Sequence, residues 1–127
     1  MSITKIKGGV VNADTVVKNS AYTVVTTTDS GKIFEVEGGN DVTFTLPAIA
    51  IGNVFTFVYT GADSNGSITI SPNASDGITY AGSATDNKDL ILTKATANRG
   101  DMVTLASTDS TAAWQVTSVK GIWAKEV

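Results

Sequence analysis

Asp41-Val-Thr-Phe-Thr-Leu46 alternates wet and apolar side chains without a break, and this rhythm decides the class of fold. In an extended chain successive side chains point to opposite faces, so Val42, Phe44 and Leu46 share one face while Asp41, Thr43 and Thr45 share the other. A helix cannot gather those three apolar positions into one stripe. The segment therefore reads as a strand with one face in a core and one in water. The same spacing recurs over residues 22–26, 33–37, 67–71, 89–93, 102–107 and 113–119, the last around Trp114 and Val116. Residues 53–60 are apolar at nearly every position, with Val54, Phe55, Phe57, Val58 and Tyr59, which predicts a central strand covered on both faces.

Turn residues stand between these runs: Ser30-Gly31, Gly38-Gly39-Asn40, Gly52-Asn53, Asn65-Gly66, Ser71-Pro72-Asn73, Asp76-Gly77 and Arg99-Gly100-Asp101. Gly and Asn accept the positive φ of tight hairpins, so they punctuate a strand-rich chain. The nineteen threonines agree, because a β-branched residue with a hydroxyl suits the wet face of a strand and disfavours helix. A single helical turn at 49–51 or 93–97 is the most helix expected. Evenly spaced strands in a chain of 127 residues predict one all-β domain, an antiparallel β-sandwich or a jelly-roll-like body.

Residues 1–20 alternate weakly, carry Lys5, Lys7 and Lys18, and include Gly8-Gly9. They are expected to form an extended N-terminal arm, with the β domain over residues 21–127. The arm is either a frayed terminus or a segment that docks on a neighbour, for which Ile3, Ile6, Val10 and Val11 are the candidate contacts. The polar stretches 63–67 and 74–88 read as loops, where contacts with partners concentrate.

Composition narrows the function. The chain has no Cys and no His, which excludes disulfide frameworks, thiolate nucleophiles, imidazole acid-base chemistry and the usual zinc sites. A net charge of -3 without clustered Lys and Arg argues against nucleic acid or an anionic membrane as partner. The longest apolar stretches are far too short to span a bilayer, and no run of signal-peptide length opens the chain. The expectation is a protein made and used without secretion, with no cofactor, no metal and no enzymatic activity.

The short motifs each have a plainer reading. Arg99-Gly100-Asp101 spells an integrin-ligand tripeptide but falls where a turn must precede Met102-Val-Thr-Leu105. Asp63-x-Asn65-Gly66 begins like a calcium loop, yet Ile68-Thr-Ile-Ser-Pro-Asn73 lacks the acid that would close it. The Ser2-x-x-Lys5 spacing has no helix to hold it, and no glycine cluster precedes a helix as a phosphate-binding loop requires. Trp114 reads as core; Trp123, near the C-terminus, is either a cap on the core or an exposed anchor for a partner.

Several segments together carry a resemblance. They are Tyr22-Thr-Val-Val, Asp29-Ser-Gly-Lys-Ile-Phe34, Val42-Thr-Phe-Thr-Leu-Pro47, Gly52-Asn-Val-Phe-Thr-Phe57, Ser67-Ile-Thr-Ile-Ser-Pro72 and Trp114-Gln-Val-Thr-Ser-Val-Lys-Gly-Ile-Trp123. Over residues 20–125 the chain resembles the small all-β accessory domains of tailed-bacteriophage virions, which occur as head decoration (cement) proteins and in head or tail fibres. The resemblance implies a homotrimer on the capsid surface, assembled in the host cytoplasm, with the major capsid protein or tail proteins as partners. A short chain beginning at its own Met favours decoration over a fibre tip. The alternatives are a fibre module that binds a host-surface glycan and a cellular carbohydrate-binding or adhesion module.

Overall fold

The computed structural model describes residues 14–108 and 113–127. Its strands are β1 (Thr15–Val17), β2 (Tyr22–Thr23), β3 (Ile33–Val36), β4 (Asp41–Thr45), β5 (Val54–Tyr59) and β6 (Ser67–Ser71), followed by β7 (Gly77–Thr79), β8 (Leu90–Leu92), β9 (Met102–Ala106), β10 (Ala113–Lys120) and β11 (Trp123–Lys125). One helical turn, α1 (Thr26–Asp29), follows β2, and a 3₁₀ turn at Lys94–Thr96 follows β8, inside the 93–97 stretch expected to make one.

The strands form two sheets around one core, ordered β1-β3-β5-β9-β10-β7 and β11-β8-β6-β4-β2. Along the chain β1 to β6 alternate between the sheets, and each strand runs parallel to the next one in its own sheet. The first half of the chain is thus a flattened coil of three turns. Register stacks Val16 beside Phe34 and Phe57 in one sheet, and Tyr22 beside Phe44 and Ile70 in the other. The aromatic rings meet across the core. Phe44 lies 4.7 Å from Phe57 and 5.4 Å from Phe34, centroid to centroid, and Phe34 stacks on Phe57 at 5.4 Å. The second half closes the sheets with antiparallel pairings of β9 on β5, β10 on β9, β8 on β6 and β11 on β8.

The alternation of residues 41–46 is realised as read: Val42, Phe44 and Leu46 are buried while Asp41, Thr43 and Thr45 are exposed. Other expectations are corrected. The sheets are mixed rather than antiparallel, since the coil and the β7–β10 pair are parallel. A half-buried strand shows the same two-residue period in either pairing, so periodicity cannot separate them. β5 is central in its sheet but not covered on both faces: Phe55, Phe57 and Tyr59 point into the core, and Val54 on the other face is 38% exposed. Residues 15–17, expected within an arm, form a strand of the sheet with Val16 packed against the core. The 22–26 strand stops at Thr23 because the chain turns into α1.

Candidate interaction site

The coil begins at β1 and β2, and both are edge strands at the same end of the two sheets. Asp14 O accepts from Ile33 N at 2.8 Å, and Lys18 N donates to Glu35 O at 2.9 Å. In a parallel pair alternate residues turn both main-chain groups toward the same neighbour. The groups of Asp14, Val16 and Lys18 therefore face β3, and those of Thr15 and Val17 face outward. On β2, Val24 N donates to Thr45 O at 2.8 Å, which by the same alternation leaves Thr23 facing outward. Among the described residues no strand lies beyond either edge. Such an edge is a template for another chain.

A polar node braces this end from behind. Asp29, in α1, is buried at 1% exposure and accepts three hydrogen bonds. Tyr22 Oη donates to its Oδ2 at 2.7 Å, Val25 N to the same oxygen at 2.8 Å, and Lys32 Nζ to Oδ1 at 3.1 Å. Burial pushes the Asp29 carboxyl up, but the three donors outweigh it and hold the pKa below the ordinary carboxylate value. The Tyr22 phenol is raised, first by its bond to Asp29 and then by burial and the Asp29 charge. Lys18 Nζ lies 3.8 Å over the Tyr22 ring, a cation–π contact that ties β1 to β2.

The opposite end is built differently. The Ala84 and Thr85 carbonyls crowd the space a side chain would need at Gly77, in the edge strand β7. Lys125 Nζ donates to Ile78 O at 2.9 Å and to Lys88 O at 3.0 Å. Burial lowers the pKa of Lys125, against the charges of Asp89 and Glu126, which raise it. The 81–88 loop and a lysine cover this edge, and the β1–β2 end has no such cover among the described residues.

One open cleft of about 420 Å³ lies between α1 and the turn before β5, lined by Thr26, Thr27, Ser30, Ile51, Gly52 and Asn53. It offers hydroxyl, amide and aliphatic groups and no ionisable side chain. Asn53 Nδ2 and the adjacent Ser107 Oγ are buried without a hydrogen-bond partner among the described residues.

Ile3, Ile6, Val10 and Val11 lie outside the described residues. Trp123 is in the core at 5% exposure, with Nε1 donating to Lys120 O at 3.0 Å, so its ring caps the sheets and is not presented as an anchor. Asp101 of the Arg-Gly-Asp turn is 3% exposed and accepts from Asn98 N at 2.9 Å, which removes its carboxylate from any receptor. Asp63 accepts from Arg99 N at 3.0 Å and braces the same turn. Sequence reasoning missed the Asp29 node: Asp29-Ser-Gly31 reads as a turn, and only Lys32 at i+3 hints that the acid is held. No protein-family model matches the chain, and no curated protein matches it.

Proposed function

We propose that this chain is a structural virion protein that attaches to a phage capsid and stiffens it, as a decoration protein. The observation that supports the structural reading is the use made of its buried ionisable groups. The buried Asp29, Asp76 and Asp101, with the half-buried Lys125, each bind main-chain groups of turns or strand ends: Val25 N, Ile49 N, Asn98 N, and the Ile78 and Lys88 carbonyls. The core takes in Phe34, Phe44, Phe55, Phe57, Tyr59, Trp114 and Trp123. A body stapled in this way meets partners through its surface and its free strand edges. The major capsid protein is the partner the sequence resemblance implies, and three copies binding together would gain affinity from the high effective concentration of each added contact.

The parallel coil supports a second reading, a tail-fibre or head-fibre component, because coils of this kind lengthen by stacking turns along one axis. Antibody-gold labelling of virions from the phage that encodes the chain separates the two. Label over the head, with co-sedimentation of purified chain and emptied heads, supports decoration. Label confined to the tail, with no head binding, overturns it. Replacing Ile3, Ile6, Val10 and Val11 by Ser should weaken head binding if the N-terminal segment makes contact there.

A further inference from the structure

We infer that the β1–β2 end is a homotypic docking surface, closed by the same end of a second copy through a two-fold axis at Val16. The occupant is chosen by register. Only an antiparallel pairing centred on Val16 sets Thr15 opposite the second copy's Val17 on both sides of the axis, so that every outward main-chain group of β1 exchanges hydrogen bonds. A shift of one residue would turn inward-bonded groups toward the copy, and centring on Thr15 or Val17 would leave part of the edge unpaired. The same centring sets Asp14 opposite the second copy's Lys18, and Lys18 opposite its Asp14. Opposite charges at directly facing positions of adjacent strands attract. The edge is thus self-complementary in hydrogen bonding and in charge, as a two-fold interface requires.

The fold adds two further reasons. Val17 is 44% exposed, and Val16 and Tyr22, half-buried, are the last apolar side chains of the core at this end. An axis along the sheet normal also turns the β2 edge, with its outward Thr23, toward the β2 edge of the second copy. Head-to-tail stacking is disfavoured because main-chain groups along β7 are already taken: Asp76 O accepts from Asn87 N and Ile78 O from Lys125 Nζ. The inference does not depend on the virion reading, since it concerns contacts between copies in solution.

Light scattering of the full chain over a range of concentration tests it. Two-copy particles, or six-copy particles made of paired trimers, are expected to grow with concentration; monomers or trimers alone at every concentration overturn it. Val17→Pro removes an outward N–H and leaves the β3 ladder intact, so association should be lost while the β-sheet circular dichroism persists. Asp14→Lys alters an exposed side chain and sets like charges face to face, which should weaken association at least about tenfold. Asp14→Lys combined with Lys18→Asp should restore it to near the original value. Lys18 also sits over the Tyr22 ring, so the readout is the dissociation constant and not the melting temperature. Wild-type association by Asp14→Lys, or failure of the double exchange to rescue a weakened single variant, overturns the register.

Discussion

The Tyr22 hydroxyl donates a 2.7 Å hydrogen bond to Asp29 Oδ2, joining the end strand β2 to the helical turn that follows it. Because Val25 N reaches the same oxygen at 2.8 Å and Lys32 Nζ the other at 3.1 Å, one buried carboxylate holds strand, turn and the start of β3 together. Asp29→Ala strands a main-chain N–H and a phenol that bonded to a charge, and should cost about 2–3 kcal/mol in urea unfolding. Tyr22→Phe removes one donor and leaves the other two, and should cost about 1 kcal/mol. Equal losses for the two variants would show that the carboxylate does not hold the node.

The same node sets the pH dependence. The folded pKa of Asp29 is below its unfolded value of about 3.9, so its stabilisation is complete above that value and disappears as pH falls through the folded pKa. The folded pKa of Tyr22 is above its unfolded value of about 10, so its contribution is complete below that and disappears as pH rises through the folded pKa. Stability measured against pH should therefore lose part of its acid limb in Asp29→Asn and part of its alkaline limb in Tyr22→Phe. Unaltered limbs in both variants would remove the node from the account.

What could be read in the chain was the inside and outside of each strand. Val42, Phe44 and Leu46 declare their face because alternation is a local property, and β6, β8 and β9 follow the same rule. Pairing was not legible. Whether β3 meets β5 in parallel depends on residues some twenty positions apart, and Phe34 beside Phe57 carries no local mark of it. The outer valines of β5 imitate a doubly covered strand because β-branched residues also suit a half-exposed face. Thr26-Thr-Thr28 reads as strand for the same reason, and the turn there depends on the Asp29 side chain capturing Val25 N. The free end was invisible, since Thr15 and Val17 become edge positions only once β1 is known to lie outside β3.

Gly121, at φ +103°, packs its Cα against the Asp101 carboxylate, and a Cβ there would fall 2.4 Å from the carboxyl carbon. Gly121→Ala thus meets two obstacles, a backbone conformation that suits glycine and a buried acid that cannot withdraw without releasing Asn98 N. A loss of about 2–4 kcal/mol is expected, from the strain and the broken hydrogen bond together. In an Asp101→Ala background the collision is gone and only the backbone strain remains, so the same substitution should cost about 1 kcal/mol. Additive losses would mean that the two residues do not meet.

Phe44 is the ring on which the coil closes, touching Phe34 and Phe57 from the facing sheet. Phe44→Ala should cost about 3–5 kcal/mol in chemical denaturation, from lost transfer energy and the cavity left between the sheets. Ile51→Ser, at a position 76% exposed, should stay within about 0.5 kcal/mol of the parent. A Phe44→Ala loss of the size seen at Ile51 would contradict a shared core.

Among the described residues Ser107 Oγ is buried without a hydrogen-bond partner next to Asn53, whose Nδ2 is likewise unpartnered, while their main chains are joined by Ser107 N to Asn53 O at 2.9 Å. A hydroxyl enclosed in this way has given up its water and gained nothing for it. Ser107→Ala keeps the main-chain bond and deletes only that hydroxyl, so stability should be unchanged or higher by about 1 kcal/mol. Asn53→Ala removes a larger group and opens a cavity, so its effect should be less favourable than that of Ser107→Ala. A loss of about 1 kcal/mol or more for Ser107→Ala would mean that the hydroxyl is satisfied in solution, through a bridging water shared with Asn53.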